Sequence, residues 1–155
     1  MKVSDFESQS YAMSDFKDLK VWQKAQAMAL ATHPVACKIR GPGGSGKRTQ
    51  MINAAFSVPT NIVESRGQST KREESRYLRM AVNSSTELEY HLLTALELRD
   101  ISRSDCDSLT AKVVEVRKML YGLIRSLTNQ EEPDESGKSA ESDESDNPKN
   151  PPTKT

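Results

Sequence analysis

Ser57-Val58-Pro59-Thr60-Asn61-Ile62-Val63-Glu64 is the stretch on which the fold turns. Val58 and Ile62 stand four residues apart, and the same step runs back through Met51, Ile52, Ala55 and Phe56 and on to Val63. Apolar residues recurring at three and four places form one face of an amphipathic helix, here expected over residues 48–64. Pro59 falls inside that pattern. It removes a backbone donor and crowds the preceding turn, so a bend is expected there.

Working outward, Leu19-Lys20-Val21-Trp22-Gln23-Lys24-Ala25 opens a similar pattern with Phe16, Met28, Ala29 and Leu30. A first helix is expected to begin after a cap at Ser14 or Asp15. Pro34 interrupts its continuation through Val35, Ala36 and Ile39, which predicts a kink or break at residues 31–33. Downstream, Thr70-Lys71-Arg72-Glu73 fits a capping box. Leu78, Ala81, Val82, Ser85, Leu88, Leu92, Ala95 and Leu96 then make one stripe, giving a helix over residues 71–98. Small residues at Ala81, Ser84, Ser85 and Ala95 allow close approach of a neighbour. After the turn Asp100-Ile101-Ser102-Arg103, Ser104 is the expected N-cap of a last helix, whose stripe is Leu109, Val113, Val116, Leu120, Leu123, Ile124 and Leu127. Two long helices joined by a short turn make an antiparallel hairpin. No segment alternates over strand length, and the class is all-α.

Composition divides the chain of 155 residues. Residues 129–155 hold eight acidic residues against three lysines, with four prolines and one alanine as the sole apolar residue. Such a segment buries too little to offset the entropy of ordering it, so a disordered acidic tail is expected there, and a disordered N-terminus over residues 1–13. The whole chain balances 22 basic against 22 acidic residues; without the tail, 19 and 14 remain, a body of +5 carrying a tail of −5. That asymmetry permits attraction to an anionic partner, which the tail could partly screen. Cys37 and Cys106 are far apart and lack metal-ligand spacing. With no signal-peptide pattern and no long apolar run, the expectation is a cytoplasmic, soluble, thiol-reduced protein, starting at Met1 or Met13, without membrane contact.

At this point the order of motifs becomes familiar. Asp18-Leu19-Lys20-Val21-Trp22-Gln23-Lys24-Ala25, Gln50 with Ala54-Ala55, the Ser57–Glu64 stretch, Arg79-Met80-Ala81, Glu87-Leu88-Glu89 and Met119-Leu120-Tyr121-Gly122-Leu123 resemble the bundle proteins first found encoded in intervening sequences of bacterial 23S ribosomal RNA genes. The likeness runs from Phe16 to Leu127. It implies an antiparallel up-and-down four-helix bundle, over residues 14–128, assembling into a ring-like homo-oligomer, usually a pentamer. In a distant branch such proteins serve reverse transcriptases of diversity-generating retroelements, where a basic ring engages nucleic acid and protein. For the main branch no biochemical activity is settled. Ser65-Arg66-Gly67 stands where the family commonly has glycine directly after the glutamate, which would shift the turn. Asn83 occupies a usually small position, which would loosen the fit between helices.

Gly41-Pro42-Gly43-Gly44-Ser45-Gly46-Lys47-Arg48-Thr49 nearly spells a phosphate-binding P-loop. The magnesium-binding hydroxyl should follow the lysine directly; Arg48 stands there and Thr49 comes one residue late, rotated by about 100° on a helix. A P-loop also needs a buried strand ahead of it. The segment reads instead as a flexible inter-helix loop, with nucleotide binding through residues 41–47 the alternative reading. Basic residues cluster at Lys38, Arg40, Lys47 and Arg48, and again at Arg66, Lys71, Arg72, Arg76 and Arg79. Repeated around a ring, they could bind RNA or DNA phosphates or a nucleic-acid enzyme such as a reverse transcriptase; the plainer reading is a solubilising helix face. No aromatic residues interleave with them, so base stacking is not indicated. Glu64, Glu87, Glu89 and His91 lack the paired Glu-x-x-His spacing of a bundle metal centre, and Glu87 with His91 reads as a side-chain pair four apart. Glu64 and Asn61 are expected to satisfy polar groups beside Pro59, and Trp22 to pack in the core. No nucleophile has a histidine and acid at suggestive spacing. The expectation is a non-enzymatic oligomeric scaffold or adaptor without cofactor or metal.

Overall fold

The computed structural model describes residues 16–129. A 3₁₀ turn, Phe16–Asp18, leads into four helices: α1 (Lys20–Ala36), α2 (Gly44–Arg66), α3 (Lys71–Glu97) and α4 (Arg103–Thr128). Among the described residues there is no strand. Each helix packs on the next, and α1 closes against α4. Short connections reverse the chain each time, so the fold is an all-α, antiparallel up-and-down bundle. The two segments expected to be disordered lie outside the described residues, except that Asn129 caps α4.

The apolar stripes meet in one core. Met28 and Ile39, Met51 and Ile62, Leu78, Leu88 and Leu92, and Leu120 are fully buried. Alanines at 25, 29, 36, 54, 55, 81 and 95 are buried beside them, which lets the helix axes approach closely. Trp22 is half-buried against this core, edge-on to Phe16 with ring centroids 4.9 Å apart. Asn83, expected between helices, is exposed, so its bulk costs the packing nothing. Ser65, in place of the family's glycine, is buried and donates its hydroxyl to the Ile62 carbonyl at 2.7 Å; α2 then ends at Arg66 with Gly67 as its cap.

Several boundaries differ from the sequence expectation. Pro34 does not break α1, which continues to Ala36. It removes only the bond to the carbonyl of Leu30, a residue on the exposed face, and it lies in the last turn, where little helix remains to disrupt. Ser14 and Asp15 lie outside the described residues, and the N-cap of α1 is Leu19, without a side-chain cap. The preceding turn substitutes for one: Leu19 donates its amide to the Phe16 carbonyl at 3.1 Å, and Gln23 donates its side-chain amide to the Lys17 carbonyl at 2.8 Å. Pro59 is buried within a continuous α2. Beside it, Thr60 and Asn61 donate side-chain bonds to the Phe56 and Ser57 carbonyls, both at 2.8 Å, as expected for Asn61; Glu64 is exposed.

Thr70 caps α3 by accepting from the Glu73 amide at 3.2 Å. The cap of α4 is Ser102, not Ser104: its hydroxyl accepts from the Asp105 amide at 3.1 Å. The α3 helix stops in a Schellman motif, with Asp100 and Arg99 donating their amides to the Ala95 and Leu96 carbonyls at 2.8 and 3.0 Å. Arg99 sits at φ 60°, where glycine is usual. A left-handed arginine costs about 1–2 kcal/mol, partly offset by the greater unfolded-state freedom of glycine. Arg99→Gly is therefore expected to stabilise the fold by about 1 kcal/mol in urea unfolding, whereas Arg99→Val should destabilise it.

Candidate nucleic-acid interface

The bundle sends the two basic clusters to opposite ends. Lys47 and Arg66 lie at the two ends of α2, about 30 Å apart at 1.5 Å per residue. The end holding the α1–α2 and α3–α4 connections receives Lys38, Arg40, Lys47 and Arg48. The other end receives Arg66, Lys71, Arg72, Arg76 and Arg79, beside the last turn of α4.

At the first end both lysines of the cluster are paired with carboxylates. The Lys38 ammonium donates to Asp105 at 2.8 Å, and the Lys47 ammonium to Asp100. Arg48 donates to the Ile39 carbonyl at 2.8 Å, while Arg40 is exposed. These contacts staple one connection to the other. Hydrogen bonding from Lys38, and then from Ser102, holds the Asp105 carboxyl below the usual carboxylate value.

The glycine-rich segment belongs to this staple. Gly44-Ser45-Gly46-Lys47 is the first turn of α2 rather than a flexible loop, and only residues 37–43 connect the helices. Gly41 and Gly43 adopt φ of 80° and 71°, a left-handed turn that explains the glycines without phosphate. The Gly44 and Lys47 amides are bonded to the Gly41 and Gly43 carbonyls at 3.0 and 3.1 Å. The helix α1 precedes the segment where a P-loop needs a strand, and the lysine is held by Asp100. Nucleotide binding finds no support in this geometry.

At the second end the balance differs. Buried Glu74 takes Arg66 at 2.9 Å and Lys71 at 3.4 Å, so half-buried Arg66 serves the structure. Arg76 lies 3.7 Å from Glu73 and over the Tyr77 ring at 5.4 Å. Arg72 and Arg79 are exposed. A groove of about 380 Å³ opens here, lined by Lys71, Arg72, Glu73, Ser75, Arg76 and Arg79 of α3 and by Leu127 and Thr128 of α4. Four cations thus face one lining carboxylate. Positions 72, 76 and 79 follow helical steps and share a face, a signal present in the sequence. The α4 wall and the acids that pair with Lys38 and Lys47 are long-range features that local pattern does not carry.

The carboxylates weighed for metal binding are used otherwise. Glu89 accepts from Arg117 at 2.6 Å, and the same guanidinium donates to the Ser85 hydroxyl and carbonyl, tying α3 to α4. His91 Nε2 lies 3.5 Å from Glu87, the expected four-residue neighbour, without a hydrogen bond between them. Among the described residues no group of three or more His, Cys, Asp or Glu converges. Cys37 and Cys106 are free. Among the described residues no helix is long and apolar enough to cross a membrane.

The fold and its surface define a small helical-bundle protein with one cationic end. The family model described as 23S rRNA-intervening sequence protein matches residues 17–122. The chain belongs to that family. Among solved structures, it is similar to a protein of unknown function from the S23 ribosomal protein family of Bacteroides thetaiotaomicron, at 19% identity and a TM-score of 0.62. That match covers 68% of this chain and 98% of the other, and at this identity it bears on the fold alone. No curated protein matches the chain.

The Asp105 shift has a testable consequence. A depressed folded value contributes stability that is present above the ordinary 3.8 and is lost as pH falls through the folded value. Asp105→Asn should therefore lower the Tm at pH 7, and the difference should shrink as pH falls through the folded value of Asp105, where its carboxyl becomes neutral like the amide. A difference that does not change with pH would rule out the Lys38–Asp105 pair as the cause.

Proposed function

We propose that this protein is a non-enzymatic helical scaffold of the cytoplasm that assembles with copies of itself and binds the phosphate backbone of RNA or DNA through the groove at the start of α3. The observation that supports the reading is the contrast between the two ends. Lys38 and Lys47 each hold a carboxylate of their own, whereas Lys71, which shares Glu74 with Arg66, and Arg76, beside Glu73, line one groove with the exposed Arg72 and Arg79. The face from Lys71 to Arg79 is about 12 Å long. Phosphates on one strand of a duplex are spaced by about 3.4 Å along the axis, so one groove reaches about three.

Three contacts bind weakly at physiological salt. Assembly of several copies, a pentameric ring by the family resemblance, would present the groove repeatedly and raise avidity without new contacts. An acidic surface of a nucleic-acid enzyme, such as a reverse transcriptase, would meet the same charges; the backbone of nucleic acid is favoured because the groove is cationic and carries no exposed aromatic anchor among its lining residues.

Fluorescence anisotropy with a labelled RNA of about 20 nucleotides, titrated with salt, tests the proposal. Replacing Arg72, Arg76 and Arg79 by Gln should flatten the plot of log affinity against log salt by about two to three units of slope. Lys38→Gln with Arg40→Gln, at the opposite end, should change it by less than about one. Light scattering checks assembly. A parent protein that binds neither RNA nor DNA at about 50 mM salt overturns the reading, as does binding that does not respond to salt.

A further inference from the structure

We infer that the acidic segment following α4, with Glu131, Glu132, Asp134 and Glu135, seats in the Lys71–Arg79 groove of its own chain and competes there with polyanions. The inference deepens the nucleic-acid reading, on which its regulatory consequence rests, though the seating itself does not require it. The first support is where the chain leaves the bundle. Leu127 and Thr128, the last two residues of α4, are themselves the far wall of the groove. The segment therefore starts at the lip of the cationic site.

Charge and reach agree with that origin. Four carboxylates fall within seven residues of Thr128, against the groove's four cations and single carboxylate. An extended chain advances about 3.3–3.6 Å per residue, so Glu131 can reach about 10 Å from Thr128 and Glu135 about 25 Å. The α3 face to be covered is about 12 Å long. The other cationic end lies about 30 Å away, and its lysines already hold Asp100 and Asp105. A short tether also supplies an effective concentration in the millimolar range, enough to populate contacts that would be negligible between separate molecules.

The bundle surface is otherwise unbalanced in the required sense. Residues 16–129 carry 18 Lys and Arg against 11 Asp and Glu, an excess of seven positive charges. Exposed ion pairs are weak singly and screened by salt, so the seating is expected to be salt-sensitive and displaceable. A stronger polyanion can then exchange with it. The groove would discriminate against weak anions without being closed to long ones.

The full chain provides the test. Carbodiimide cross-linking at about 50 mM salt should join the Lys71 ammonium to one of Glu131, Glu132, Asp134 or Glu135, and the product should vanish at about 500 mM. In an equal mixture of isotopically light and heavy protein the linked peptides should be of one kind. Mixed pairs would mean that the segment sits on a neighbouring copy and would overturn the proposal. In the RNA assay, the full-chain variant Glu131→Gln, Glu132→Gln, Asp134→Asn, Glu135→Gln should bind about tenfold more tightly at low salt, the gain disappearing at high salt. A variant neutralising Glu141, Asp143, Glu144 and Asp146 makes the same change in net charge and should gain less than about twofold. Equal gains in both variants, or no cross-link to Lys71, sink the seating. A salt-sensitive cross-link within one chain, in a protein that binds no RNA, upholds the seating while removing the nucleic-acid reading.

Discussion

Closure of α1 against α4 is the constraint from which the surface follows. Three consecutive pairings alone would leave an open row of helices; the fourth forces the stripes of all four to share one core. Once the helices alternate in direction around that core, the α1–α2 and α3–α4 connections must meet at one end. The α2–α3 connection and the end of α4 meet at the other. Burial of side chains such as Met28, Leu88 and Leu120 sets this arrangement, each contributing about 1.5–3 kcal/mol. The ion pairs at the ends are consequences of it, since exposed pairs typically contribute less than about 1 kcal/mol.

The charges nevertheless distinguish the ends chemically. Asp100 and Asp105 flank the α3–α4 turn and meet the lysines delivered by the α1–α2 connection. At the opposite end the nearest buried carboxylate, Glu74, is already shared between Arg66 and Lys71. A buried carboxylate must be paired, because desolvating a lone charge costs several kcal/mol. Glu74 therefore draws in the two basic residues nearest the α2–α3 turn. Those one and two turns further along α3 remain directed at solvent and the groove. The division between structural and available cations thus comes from the burial of one glutamate.

The helices were legible because each carries a stripe several turns long, which errors of a residue or two do not destroy. Thr70 was legible too, as its hydroxyl serves an amide three residues away. What sequence pattern mistook was local punctuation. Pro34 looks like a break, yet in the last turn it removes a single bond, from the carbonyl of the exposed Leu30. Gly44 and Gly46 look like loop, since glycine disfavours helix by about 1 kcal/mol; the packing of buried Gly44 near Ile39 outweighs that preference. The cationic face of α3 was readable from its spacing. Its separation from the other basic cluster was not, because Lys38 and Lys47 find their acids 67 and 53 residues away.

Overall neutrality is for the same reason a poor guide to what this protein attracts. The chain sums to zero, but α3 is about 40 Å long and the screening length at physiological salt is about 8 Å. Charges at one end are effectively invisible at the other. A polyanion approaching the start of α3 responds to the few side chains within a screening length, where Arg66, Lys71, Arg72, Arg76 and Arg79 outnumber Glu73 and Glu74. The same reasoning limits which acids can compete with it. Those at the far end are too distant, and Glu74 is enclosed by its own partners. The acids that follow Thr128 in the sequence are joined covalently to the groove's own α4 wall, a closeness along the chain that holds in every copy without needing a particular oligomer.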